Sequence, residues 1–146
     1  MTDFHPFFVH FPVALFVTAG IIELMMWLFP KLPKQPTLPL FLIASLFSIP
    51  AALTGNAAEF EAGKITGIGQ LLENHEIAGN FVTFLGITFS FFFVYMKLKF
   101  PKRSICKLRR VILLLMAVIV LYTGYLGGSL VQKFGAGVNP NTTILD

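Results

Sequence analysis

The chain has 146 residues, of which 55% are hydrophobic and only 12% are charged. Its mean hydropathy is +0.78, whereas soluble domains carry roughly 25% charged residues. This balance argues against a soluble enzyme, a nucleic-acid-binding domain and a disordered chain. Cys106 is the single cysteine, so an internal disulfide is ruled out, and the sequence has no C-x-x-C-H motif for covalent c-type haem.

Four apolar segments follow one another along the chain, each close to the roughly 20 residues that a membrane-spanning helix needs. Backbone groups in lipid must be paired within the protein, so these segments are predicted to be α-helices. The predicted fold is all-α, an integral membrane four-helix up-and-down bundle in a single domain, residues 1–146. The predicted spans are residues 7–29, 38–58, 76–97 and 109–132.

The charges of the three loops predict an orientation. Of the eleven Lys and Arg residues, two lie in residues 30–37 and seven in residues 97–110, whereas residues 59–76 hold four glutamates and one lysine. Loops rich in Lys and Arg stay in the cytoplasm. We therefore expect both termini and the acidic loop on the periplasmic face of a bacterial inner membrane.

The three histidines fall near that predicted outer face. His5 and His10 belong to the opening HPFFVHFP, and His75 precedes the third span. Ionisable residues inside a membrane are candidates for function. Because Pro6 suits the first turn of a helix, we expect His5 to flank the helix and His10 to lie about one turn inside it. His10 is then either a hydrogen-bonded structural residue or a ligand of a metal or of haem iron.

Glycines accompany the histidines at the same level. With ~100° per residue, one stripe of the third helix holds His75, Gly79, Val82, Gly86 and Phe93. One face of the fourth helix holds Gly124, Gly127 and Gly128. Small residues either let helices pack closely in lipid or leave room for a flat macrocycle, and the spacing leaves both interpretations open.

The sequence also predicts structural roles for two further residues of the spans. Glu23 lies near the inner side of the first span and is expected to pair with the basic inner loops or to extend towards water. Pro50 is expected to kink the second helix, because proline lacks the backbone N–H.

The opening HPFFVHFPVAL, His75 and the closing GYLGGSLVQKFGAGV together resemble a family of small four-helix bacterial membrane proteins of unknown function. The resemblance covers nearly the whole chain. Positions His5, His10, His75, Gly127 and Gly128 match recurring positions of that family. Relatives often carry Asp after the glycine of the second helix, where this chain has Glu59 at a shifted spacing.

The resemblance implies four spans in a bacterial inner membrane. Similar domains occur joined to c-type cytochrome modules, which implies a periplasmic or membrane redox partner. The partners expected are therefore the lipid bilayer and a redox protein such as a c-type cytochrome, and no nucleic acid. A homo-oligomer and a subunit of a larger complex both remain open.

Three functions compete on the sequence alone. The first is a haem b protein that transfers single electrons, with His10 and His75 as axial ligands and His5 as an accessory or replacement ligand. Its pocket would include Gly79, Gly124, Gly127 and Gly128. The second is a site for copper, zinc or non-haem iron built from the histidines and an acid such as Glu59. The third is a cofactor-free accessory or anchor subunit. Whether the chain is an enzyme stays open, and an electron carrier or complex subunit is favoured over a stand-alone enzyme.

Overall fold

The fold consists of four long helices. The computed structural model describes residues 4–33, 36–102 and 104–138, which form α1 (His5–Leu28), α2 (Thr37–Ala62), α3 (Gly69–Lys99) and α4 (Cys106–Phe134). All four are long and apolar enough to cross a membrane, which confirms the all-α prediction of a multi-pass membrane protein. The chain ends to which the orientation prediction applies, residues 1–3 and 139–146, lie outside the described residues.

Two helices are longer than the apolar segments that predicted them. α2 continues to Ala62, and α3 begins at Gly69, seven residues before the predicted start at residue 76. The extra turns are polar, and a helix can continue past the hydrocarbon region because hydropathy limits only the part within it. As a result, His75 lies in the second turn of α3 rather than just before the helix.

The helices pack in chain order around a closed ring. α1 packs against α2 and α4, and α3 packs against α2 and α4, so α1 and α3 face each other diagonally. Phe16, Phe41 and Phe93 are fully buried at the centre. Their ring centroids lie 5.3 Å apart for Phe16 and Phe41 and 5.6 Å apart for Phe41 and Phe93, distances typical of edge-to-face aromatic pairs.

Close helix contacts explain part of the small-residue pattern. A Cβ atom at Gly20 of α1 would lie 2.5 Å from the Cβ of Ala117 in α4. A Cβ atom at Gly86 of α3 would lie 3.0 Å from the Ser45 hydroxyl oxygen in α2. The predicted stripe of α3 is confirmed at three positions, since Val82, Gly86 and Phe93 are buried.

Glu23 forms a buried charge cluster at the end of the bundle opposite the histidines. Its side chain is only 1% exposed. Its carboxylate accepts hydrogen bonds from the Thr37 hydroxyl at 2.6 Å and from Arg109 Nε at 3.0 Å, and Arg110 Nε lies 3.6 Å away. The predicted pairing of Glu23 with the basic segment 97–110 is thus confirmed, but Arg109 and Arg110 belong to the beginning of α4 rather than to a loop. The cluster joins α1, α2 and α4.

Replacing Glu23 by alanine should destabilise the bundle by about 3 kcal/mol, because removing one member of a buried ion pair leaves its partner uncompensated. Thermal unfolding in detergent measures the loss. Glu61→Ala is the matched control, since the Glu61–Lys64 pair at 2.6 Å is largely exposed and exposed pairs contribute little. Equal melting temperatures for the two variants would contradict a structural role for the Glu23 cluster.

Candidate functional site

His5 is the first residue of α1 and points into the bundle. Its Nδ1 lies 2.9 Å from the backbone carbonyl oxygen of Ala51 in α2. A carbonyl oxygen only accepts hydrogen bonds, so Nδ1 carries the proton and Nε2 keeps a free lone pair. A Cβ atom at Gly55 would lie 2.9 Å from His5 Cε1, so the imidazole rests directly against the backbone of α2.

His75 makes the same contacts with α4. Its Nδ1 lies 3.1 Å from the backbone carbonyl oxygen of Thr123, which assigns the same tautomer to this ring. A Cβ atom at Gly127 would lie 3.0 Å from His75 Cε1. The imidazole therefore occupies the space that any larger residue at position 127 would fill.

The two halves of the chain thus repeat one local arrangement. In each half, the histidine of the first helix donates to a carbonyl of the second helix, and a glycine four residues after that carbonyl lies against the ring. The histidine and its acceptor are separated by 46 residues in the first half and 48 in the second. One equivalent contact in each helical hairpin is what parallel repeats of a hairpin would produce.

The two imidazoles meet across the diagonal of the bundle. The ring centroids of His5 and His75 lie 6.3 Å apart, and the rings are nearly perpendicular at 83°. A metal–imidazole bond is about 2 Å long, so two imidazoles on opposite sides of one metal have their centroids about 6 Å apart. The observed separation therefore suits two ligands of a single metal centre.

His10 does not join this pair, in contrast to the predicted pairing of His10 with His75. Its side chain is exposed, and its Nδ1 hydrogen-bonds the Pro6 carbonyl oxygen of its own helix. The reason is helix phase: Pro12 belongs to the buried face of α1, and His10 lies two residues, about 200°, away from it. His5 lies seven residues, nearly two full turns, before Pro12 and so shares the buried face.

The four glycines predicted around a cofactor fall in two groups. Gly127 contacts His75, as described above. Cβ atoms at Gly79, Gly124 and Gly128 would meet nothing within 4 Å, so these glycines border open space rather than the imidazole pair.

The described residues offer no third ligand beside the two imidazoles for a non-haem metal site. Within residues 4–33, 36–102 and 104–138, no three His, Cys, Asp or Glu side chains come together as potential ligands. Glu59, the acid suggested by the sequence, lies against the side chain of Glu76. Glu76 in turn accepts a hydrogen bond from Asn80 at 3.4 Å, so the acids form their own polar group between α2 and α3.

Comparison with known proteins identifies a family but no characterised relative. Residues 2–140 match the model of the family described as predicted membrane protein (DUF2231). The chain belongs to this family. No curated protein and no solved structure matches the chain.

Sequence reasoning missed two members of the site in this DUF2231 chain, Gly55 and Thr54. The sequence analysis does not predict a role for Gly55, because its contact with His5 is visible only in the fold. One sequence signal existed: Gly55 follows His5 by 50 residues and Gly127 follows His75 by 52. Thr54 adds a hydroxyl oxygen 3.4 Å from His5 Nδ1.

Alanine at Gly55 or Gly127 should displace the imidazole beside it, whereas alanine at Gly124 should not. Alanine is favoured over glycine in helices by about 1 kcal/mol, so Gly124→Ala should raise the melting temperature slightly. The same substitution at Gly55 or Gly127 should lower it, because the added methyl group meets an imidazole at about 3 Å. Differential scanning measurements in detergent give the comparison, and equal gains at all three positions would contradict the packing described.

Proposed function

We propose that the chain binds haem b between His5 and His75 and acts as a membrane electron carrier or redox-complex subunit. The observation that carries the proposal is the imidazole pair itself. Two histidines from diagonal helices lie with ring centroids 6.3 Å apart, and the Nδ1 of each lies within hydrogen-bond distance of a backbone carbonyl oxygen. A carbonyl that accepts the Nδ1 proton holds the ring so that Nε2 can ligate a metal.

The donor set favours haem over copper, zinc or non-haem iron. Protein sites for these ions generally use three or four side-chain ligands, and the described residues bring two imidazoles together without a third ligand. Haem would supply most of the iron's coordination itself, so His5 and His75 would be sufficient to hold it. Haem iron is suited to one-electron transfer.

The residues of this chain supply binding and orientation. Ala51 and Thr123 provide the carbonyls that fix the two tautomers, and such hydrogen bonds also raise the basicity of the ligating nitrogen. Gly55 and Gly127 allow each imidazole to approach a neighbouring helix backbone. Substituting either glycine by a bulky residue would remove the space in which the ring is held.

The cellular setting of this proposal is the periplasmic side of a bacterial inner membrane. The imidazole pair lies at the end of the bundle opposite the Glu23–Arg109 cluster, and the loops rich in Lys and Arg favour the cytoplasm. The partner would be a periplasmic or membrane redox protein such as a c-type cytochrome. This partner rests on the family resemblance given above.

His5→Ala and His75→Ala should each abolish the low-spin spectrum of the purified protein or release the haem, because each removes a strong-field axial ligand. Visible absorption of the oxidised and dithionite-reduced protein in detergent gives the measurement, before and after titration with haemin. His10→Ala is the matched control, since His10 is exposed on the same helix. Its spectrum should equal that of the wild type.

Two outcomes would contradict the proposal. One is an unchanged low-spin spectrum in His75→Ala. The other is a wild-type protein that binds no haem during titration while its circular dichroism shows intact helices. The second result would favour a cofactor-free accessory subunit.

Reporter fusions test the orientation. Alkaline phosphatase fused after Asp146 should be active, because the enzyme folds only after export, and the same fusion after Lys102 should be inactive. Green fluorescent protein at the two positions should give the reverse pattern. Phosphatase activity after Lys102 would place the imidazole pair on the cytoplasmic side.

A further inference from the structure

The hydrogen bonding of the two imidazoles differs at one residue. Beside His5, the Thr54 hydroxyl oxygen lies 2.7 Å from the Pro50 carbonyl oxygen, 3.1 Å from the Ala51 carbonyl oxygen and 3.4 Å from His5 Nδ1. The position equivalent to Thr54 in the second half, one residue before the glycine, is Leu126. Leucine has no hydrogen-bonding group, so His75 lacks this neighbour.

The number of hydrogens available shows which group is the donor in the Thr54–His5 hydrogen bond. A hydroxyl has one hydrogen and two lone pairs. The shortest contact, to Pro50 at 2.7 Å, takes that hydrogen. The Nδ1 proton of His5 therefore has two acceptors, the Ala51 carbonyl oxygen at 2.9 Å and the Thr54 hydroxyl oxygen at 3.4 Å.

The backbone carbonyl of Thr123 in α4 is the one hydrogen-bond acceptor of His75 among the described residues. Thr83 of α3 offers a matched control for Thr54, because both are partly buried threonines whose hydroxyl donates to the carbonyl four residues earlier. The Thr83 hydroxyl oxygen lies 3.1 Å from the Gly79 carbonyl oxygen and 3.2 Å from the Ser48 carbonyl oxygen, so its partners are backbone carbonyls rather than an imidazole.

We propose that Thr54 is a positioning residue that makes His5 the more electron-donating of the two imidazoles. The inference rests on the proposed haem function and extends it by assigning unequal roles to the ligands. A second acceptor on the Nδ1 proton increases the negative character of the ring, which strengthens donation from Nε2 to iron. Stronger donation stabilises the oxidised metal, so Thr54 lowers the reduction potential of the centre.

Three substitutions test this role in the full-length, haem-loaded protein. Thr54→Val keeps the shape of the side chain and removes the hydroxyl, so the midpoint potential should rise. Thr54→Ser restores the hydroxyl and should return the potential to the wild-type value. Thr83→Val removes a hydroxyl that contacts neither imidazole and should leave the potential unchanged. Redox titration followed by visible absorption gives the values.

A second measurement uses the protein without haem. The proton on His5 Nδ1 should shift upfield in the nuclear magnetic resonance spectrum of Thr54→Val, because it loses an acceptor, while the signal of His75 stays in place. This readout is independent of haem binding. A wild-type protein that binds no haem would contradict the proposed function, and the Nδ1 signal would still decide whether Thr54 contacts His5.

The inference is overturned if Thr54→Val leaves both the potential and the His5 signal unchanged, or if the potential falls. It is also overturned if Thr83→Val shifts the potential as far as Thr54→Val, because both changes would then report a general loss of packing. A rise in Thr54→Val alone, reversed in Thr54→Ser, supports it.

Discussion

The hydrogen bond from a histidine Nδ1 to a helix carbonyl is the interaction on which the histidine end of the bundle depends. His5 and His75 are partly buried, and a buried polar group without a partner costs free energy. A helix carbonyl already accepts one bond from its own helix and still has a second lone pair. His5 and His75 each use that lone pair on a neighbouring helix. The bond orients each ring against that helix, and this orientation is the one that the proposed haem site requires.

The charged side chains of the described residues lie towards the two ends of the bundle. The histidines occupy one end, the Glu23 cluster occupies the other, and the phenylalanine rings of Phe16, Phe41 and Phe93 lie at the centre. The central layer also contains the buried hydroxyls of Ser45 and Ser48, each of which donates to a carbonyl oxygen of α2 itself. Both hydroxyls are therefore satisfied within their own helix.

The sequence predicts the helices and the Glu23 pairing because both depend on composition. Twenty apolar residues and a basic loop suffice for those expectations. Composition could not predict how α1 is rotated about its own axis, that is, which of its faces points towards the core. α1 is apolar on nearly every side, so the sequence gives no amphipathic pattern by which to identify the face towards the core. The prediction therefore placed His10 inside and His5 outside, and the structure reverses them. Gly55 was missed for a related reason, since its role depends on which side of α1 faces α2.

The repeated contact in the two helical hairpins explains why two histidines face the interior. Each hairpin contributes one histidine, one acceptor carbonyl and one glycine, so these groups occur in pairs. A residue outside the repeat appears once, as Glu59 does, because its equivalent four residues after Gly127 is Val131. Thr54 also appears once, with Leu126 as its equivalent. The repeated contact thus accounts for the number of inward-facing imidazoles, and the differences between the halves make their surroundings unequal.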